Sequence, residues 1–275
     1  MDLALLTDLA RRCLLAGGDA EEAESIVTLL SRNGSAVARY EGDTLIGAAL
    51  LSVGRKHPSA GHLDLLLVDP AHRRRGVARS MLAEVEQEAR KRGLESLKVT
   101  GNAPDYVWPG VDVRYTAAIC ALEAAGYART GTAWNMTAPL PVPGPARTPP
   151  ADVTVRRAGE QDMAALVEMI GAQWGPAWVT EVQRAAGVHL ALRDGLPIAF
   201  AAWGGCRPSW FGPMGTLPSA TGLGLGGVLL RHCLDDQAAL GMASAQIGWV
   251  GPVPFYSNAV GAYIERVFFL FEKTL

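Results

Sequence analysis

Residues 68–78 read Val68-Asp69-Pro70-Ala71-His72-Arg73-Arg74-Arg75-Gly76-Val77-Ala78. An apolar strand-like run, LDLLLVDP over 63–70, leads into this stretch, and an amphipathic helical pattern from about Arg75 to Gly93 leads out of it. The turn between them has the makings of an anion site. Small residues at 76 and 78 let the backbone come close to a ligand. The helix start presents unpaired N–H groups and the positive end of a dipole. Arg73, Arg74 and Arg75 beside that start would attract a diphosphate or a 3′-phosphate. The competing reading is a solvated basic turn that caps a helix; the strand, proline and glycine spacing around the arginines favours the anion site.

Working outward, the same order of elements occurs twice. SAVARYEGDTLIGAALLS (35–52) and VHLALRDGLPIAFAAW (188–203) are both alternating apolar runs around a glycine turn, a hairpin signal. Each leads to another strand (63–70 and 210–218), a glycine-containing turn, a helix, a strand (LESLKVT, AQIGWV), a further helix and a last strand. A helical region precedes each hairpin; in the second half it follows a short strand at 153–157, which the first half lacks. Between the halves, residues 139–150 read PLPVPGPARTPP, with six prolines in twelve positions. Proline fixes φ and removes a donor, so this segment joins neither a helix nor a central strand. The expected division is an N-terminal domain over 1–138, a proline-rich linker over 139–151 and a C-terminal domain over 152–275.

The pattern V-x-P-x-x-R-x-x-G-x-A ahead of a helix resembles the acetyl-CoA-binding motif of the GNAT superfamily of N-acyltransferases, Arg/Gln-x-x-Gly-x-Gly/Ala. In the second half Thr216-Leu217-Pro218-Ser219-Ala220-Thr221-Gly222-Leu223-Gly224-Leu225-Gly226 is similar in the same register, with Thr221 where the family has Arg or Gln. The resemblance implies two α/β domains in tandem, each around a mixed, largely antiparallel sheet flanked by helices. It implies acetyl-CoA, or another acyl-CoA, as cofactor, held by Arg73–Ala78 (with Gly76 and Val77) and by Thr221–Gly226 (with Leu223 and Leu225). The pantetheine arm would lie along Leu66, Leu67 and Val68, and along Met214, Gly215 and Thr216, with Asn102 touching it. The expected reaction is direct attack of the primary amine of a small molecule on the acetyl carbonyl. The family's leaving-group acid corresponds to Tyr256; the first half has Leu122 there. The family's base register falls on His62, which shares a strand face with Asp64, and on Trp210 in the second half. The insertion at 102–115, with two tyrosines, a tryptophan and two acids, reads as a substrate wall or an interdomain contact, or equally as a packed loop with no ligand.

Other classes fit less well. The string GLGLGG (222–227) matches a dinucleotide fingerprint, but residues 243–250 offer no acid for a ribose. The chain of 275 residues carries 25 Lys+Arg against 27 Asp+Glu, a net charge of −2 that gives no nucleic-acid footprint. The balance conceals a contrast, since residues 1–150 hold 17 bases and 17 acids and residues 151–275 only 8 and 10. Hydrophobic residues make up 49%, which excludes intrinsic disorder. Cys13, Cys120, Cys206 and Cys233 have no metal-ligand spacing. The uncharged stretch 237–264 is interrupted by glycine and proline and does not read as a membrane span. The N-terminus reads as a helix rather than a signal peptide. The expectation is therefore a cytoplasmic monomer or homodimer with reduced thiols, no metal, no membrane and no nucleic-acid partner. A duplicated acyl-CoA-binding or partner-binding scaffold with decayed active centres is the alternative, fed by Leu122 and Thr221.

Overall fold

Asp194 and Gly195 both adopt positive φ, 52° and 78°, the conformation that lets a two-residue loop reverse a strand along its natural twist. In the first half the corresponding loop, Gly42-Asp43, has positive φ only at Gly42, 57°. The computed structural model describes residues 1–32 and 34–275. It divides into a first unit, Met1–Trp134 with Arg266–Leu275, and a second, Asn135–Glu265.

In chain order, the first half forms helices α1 (Leu3–Cys13) and α2 (Ala23–Leu30), then strands β1 (Gly34–Glu41), β2 (Thr44–Val53) and β3 (Ala60–Val68). Helix α3 (Val77–Lys91), strands β4 (Ser96–Val99) and β5 (Val111–Asp112), helix α4 (Thr116–Ala124) and strand β6 (Ala128–Pro139) follow. The Asp2 carboxylate accepts the Ala4 N–H and so caps α1. Strands β1, β2 and β3 are antiparallel neighbours, and β3 pairs with β4 in parallel. Each face of this sheet buries its own core. Leu6, Leu9, Ile26 and Val27 from α1 and α2 pack with Leu65 and Leu67, whereas Met81, Leu82 and Val85 from α3 pack with Leu51 and Leu63. A one-residue step in register makes this possible. Leu51 faces Leu63 and Leu50 faces Leu65, so Asp64 is left as a bulge and β3 changes faces there.

The second half repeats the order with β7 (Thr154–Arg157) added in front, then α5 (Met163–Trp174), α6 (Pro176–Arg184), β8 (Gly187–Arg193), β9 (Leu196–Trp203) and β10 (Trp210–Thr216). Helix α7 (Leu225–Ala239), β11 (Ser244–Ile247), α8 (Val253–Val260) and β12 (Tyr263–Thr274) complete it. The fold is mixed α/β with largely antiparallel sheets, as the resemblance implied.

The closing strands depart from the expected division. In β12, Phe271–Thr274 pair with Val99–Ser96 of β4 in the first unit, and Phe268 and Phe269 pair with β5. The end of β6, Met136–Pro139, pairs with β11 in the second unit. Each sheet is thus finished by the strand from the other half of the chain. Both strands have the same alternating pattern, and a period of two records which residues share a face, not which distant strand lies alongside. The proline segment after β6 is likewise not a free spacer. Val142 is buried, the Leu140 N–H donates to the Ala243 carbonyl, and Arg231 donates to the Pro143 carbonyl, all within the second unit.

One buried ionic cluster ties β12 into the first unit. Arg266 is fully buried and donates two bonds to Asp19, at 2.7 and 2.8 Å, and one to Asp112 at 2.7 Å. Tyr115 and Trp108 donate to the same Asp19 carboxylate. Among the described residues, no helix is long and apolar enough to cross a membrane, and no disulfide joins the four cysteines.

Candidate functional site

Parallel pairing between β3 and β4 covers Ala60–His62 against Ser96–Lys98, and past that point a cavity of about 1150 Å³ opens beside β3. One wall is Leu63–Val68; facing residues include Val99 and Ala117, Ala118, Cys120 and Ala121 of α4. At one end lie His72, Arg73, Arg74 and Gly76–Arg79 of the turn and first helical residues. Extended backbone along the wall has N–H and C=O groups available to a ligand that lies parallel to it.

The turn is built the same way in both units. Arg73 and Thr221 are extended (φ −67° and −64°), Arg74 and Gly222 have φ of 64° and 88°, and Gly76 and Gly224 have φ of 81° and 74°. The left-handed N-cap turns the first N–H groups of α3 and α7 outward. Arg74 keeps that conformation with a side chain, which is costly for any residue but glycine. The difference is charge, since residues 217–226 contain no cation.

Of the residues expected to hold cofactor in the first half, Leu66, Leu67, Val68, Arg73, Arg74, Gly76, Val77 and Ala78 line the cavity. Arg73 spends its Nε on the Val68 carbonyl at 3.1 Å, closing the end of β3. Arg75 is not on the wall; its charge acts on Glu41 and His72, which pair with one another at 3.0 Å. Asn102 is buried and both ends of its amide are engaged by protein, so it is not a free contact for an arm in the large cavity.

His62 does not line the cavity. Its Nδ1 lies 3.1 Å from the Thr100 carbonyl, and burial lowers its pKa, so the ring is a neutral, packed group between strands. The residue two positions along, Asp64, reaches the cavity instead. The bulge frees it from the strand alternation, and it lines both the large cavity and an adjoining recess of about 30 Å³. Burial pushes its carboxyl up to about 7, against the opposing hydrogen bond from Ser52; the Asp105 charge adds to the rise. The sequence did pair His62 with Asp64 on one face. Only the bulge, which needs the β2 register, tells which of them reaches the cavity.

Sequence reasoning also missed Arg79, on the first turn of α3, and Cys13–Gly17 at the end of α1, all on the cavity wall. The insertion does two things in the first unit. Trp108, Gly110, Val111, Asp112, Arg114 and Tyr115 line the cavity, while Asp112, Tyr115 and Trp108 also anchor the Arg266 cluster.

In the second unit, β10 pairs with β11 through Trp210 and Phe211 only, so the strands part at the corresponding place. Larger side chains occupy the neighbourhood. A Cβ on Gly226 would meet Met214 at 3.2 Å and Phe255 at 3.3 Å, and one on Gly215 would meet the Trp174 indole at 2.5 Å. Tyr256 is buried edge-on against Phe211 and Phe255, and burial pushes its hydroxyl up to about 12. Thr221 turns its hydroxyl back to the Leu217 carbonyl. Thr216 continues β10 towards the turn.

The profile of the Acetyltransferase (GNAT) family matches residues 4–105. A mycothiol acetyltransferase from Thermomonospora curvata is 31% identical over 235 residues, covering 77% of this chain and 73% of the relative. A solved tandem GNAT protein from the clavulanic acid biosynthesis pathway superposes with a TM-score of 0.72 at 16% identity, covering 99% of this chain and 94% of that one. A GCN5-related glucosamine N-acetyltransferase region of a fungal multi-domain beta-N-acetylglucosaminidase gives a TM-score of 0.76 at 18% identity. It covers 99% of this chain, which spans 37% of that protein.

Proposed function

Because the chain belongs to the GNAT family and is an N-acetyltransferase, we propose that its first unit moves an acetyl group from acetyl-CoA to the primary amine of a small molecule by direct attack in a ternary complex. The observation that carries this reading is one continuous cavity joining the basic turn to the Asp64 carboxyl. A mycothiol acetyltransferase among the relatives supports a small-molecule acceptor.

Acetyl-CoA, when bound, supplies an activated acyl carbonyl and a thiolate leaving group. Arg74, Arg79 and the first N–H groups of α3 would hold its phosphates, and the free edge of Leu63–Val68 would hold the arm. Asp64 would take one proton from the acceptor's ammonium, the freed nitrogen pair would form the C–N bond as the C–S bond breaks, and the nitrogen's surplus proton would pass to the departing thiolate. A thiol titrates near 8.5, so the thiolate is a competent leaving group near neutral pH, and no enzyme cysteine is consumed. A carboxyl with a pKa near the working pH is suited to this task, because it is both ionised in part and basic enough to accept the proton.

The second unit is read as a scaffold. In the register that aligns Arg73 with Thr221, Gly212 stands in place of Asp64, and Met214, Phe255 and Tyr256 occupy the side of the gap that small residues of α4 leave open in the first unit. A chain that only bound acyl-CoA would have no use for a half-buried carboxyl beside the arm, which favours catalysis over the decayed alternative.

Native mass spectrometry with acetyl-CoA tests the assignment by counting ligands. One ligand per chain is expected. Ala121→Phe, which puts a ring into the open slot, should weaken binding at least about tenfold. Two ligands per chain, or a single ligand indifferent to Ala121→Phe, would overturn it.

A further inference from the structure

The hydrogen bonds behind Asp64 have a fixed direction, and the direction has consequences. Asn102 is buried between three neighbours. Its Oδ1 accepts the Arg55 backbone N–H at 3.1 Å, and its Nδ2 donates to the Val53 carbonyl at 3.0 Å. A backbone N–H can only donate and a carbonyl can only accept, so these two groups determine which way round the amide sits. Nδ2 must then also be the donor in its 2.9 Å contact with Ser52 Oγ. Ser52 is buried, and its oxygen is already an acceptor in this bond. Its one proton is left for its other partner, the carboxylate of Asp64.

Resting on the reading of Asp64 as base, we propose that Asn102 and Ser52 are positioning residues, a donor chain that directs a hydroxyl proton at the Asp64 carboxylate and holds it at the junction of the large cavity and the recess. Hydrogen bonding to the charged form favours ionisation, and it opposes the effect of burial. Without the chain, Asp64 would ionise only at higher pH and would be free to turn away from the acceptor. Arg55 steadies the far end, since its side chain reaches Asp105 at 2.6 Å while its N–H holds Asn102. The chain is a property of the first unit. In the aligned register Asp64 is replaced by Gly212 and Asn102 by Val250 in the second.

The test follows the carboxyl itself. The full chain is labelled with ¹³Cγ-aspartate, and the Asp64 resonance is identified by its absence in Asp64→Asn. Its titration midpoint should rise by about one pH unit or more in Ser52→Ala, because a bond to a charged group is lost. Asn102→Ala should raise it by less, and Ser52→Thr, which keeps a hydroxyl, should restore it. A midpoint that stays within about 0.3 units in Ser52→Ala, or falls, overturns the chain. Ser52→Ala removes a single buried oxygen, so folding is not at issue as it is for Asn102→Ala. Acetyl transfer from acetyl-CoA to a panel of small primary amines separates this from the parent reading. If Asp64→Asn leaves transfer intact while the midpoint moves as expected, Asp64 is not the base but the chain is correct. If transfer is lost and the midpoint does not move, the base stands and the chain fails.

Discussion

Replacing Asp64 by Asn should make the protein more stable and less active, and the size of the first effect follows from the site. The folded-state pKa of Asp64 is raised from 3.8 to about 7, chiefly by burial. Between those values the folded chain keeps a proton that the unfolded chain has released. Stability must therefore fall as pH rises through this window. Above pH 7 both states are ionised, and the folded state bears the whole difference of about 3 pKa units, ~4 kcal/mol. Asn cannot ionise, so the variant escapes this cost. Urea denaturation of parent and variant from pH 4 to pH 8 should give curves that nearly coincide at pH 4, diverge above it and run parallel beyond pH 7. Over the same range, acetyl transfer by the parent should rise with a midpoint near 7, whereas the variant should lose about 10²-fold or more. A variant no more stable than the parent at pH 8, or a stability gap independent of pH, would show that the carboxyl is not held in the environment described above. Unchanged activity would remove it from the reaction.

Two further outcomes concern the turn and the buried cluster. Arg74 sits at φ 64° where the second unit has glycine. Arg74→Gly should thus not lower stability, the relief of strain offsetting the added chain entropy to within about 1 kcal/mol. Calorimetric titration should nevertheless show acetyl-CoA bound about tenfold more weakly and with less dependence on salt; unchanged affinity would mean that the arginine is there only as a cap. Arg266→Met leaves the buried carboxylates of Asp19 and Asp112 without their shared cation. Denaturation should show a loss of about 3–5 kcal/mol, and Asp19→Asn with Asp112→Asn in the same chain should recover part of it. A loss under about 1 kcal/mol would mean that the cluster is not what holds β12 in the first unit.

The duplication was legible because it rests on local signals: Asp-Gly and Gly-Asp reversals, strands of alternating character, and glycines just before and after α3 and α7. The exchange of closing strands was not. Nothing in Ala128–Pro139 or Tyr263–Thr274 distinguishes pairing with β4 from pairing with β11, because strand patterns carry faces but no addresses. Arg266 is the nearest thing to an address. A fully buried arginine must meet its acids, and Asp19 and Asp112 lie in the first unit. Read from sequence, it is one charge in a strand. Asp64 is a similar case. The His62–Asp64 pair was visible, but choosing between them depends on a one-residue step against β2, which is a property of two strands together.

The turn also shows how far a motif reaches. Its backbone is the same in both units, down to left-handed residues at 74 and 222 and at 76 and 224, so the motif specifies a shape. Whether that shape faces an open slot is decided elsewhere, on the helix that follows the next strand. Both helices stop before a left-handed glycine in their loops, Gly126 and Gly261. Counting back from these glycines sets Cys120 and Ala121 opposite Phe255 and Tyr256. Under the proposed assignment, the small side chains of α4 leave room for the arm, and the two rings of α8 take that room. This register also changes the meaning of Tyr256. On the one-site reading proposed above, Tyr256, expected as an acid by likeness to the family, is instead a side chain that takes the cofactor's place in its own unit, buried on Phe211 with its hydroxyl pushed up to about 12 by burial. On that reading, retaining the turn while filling the slot keeps a stable βα unit in the second half and leaves the chemistry to the first.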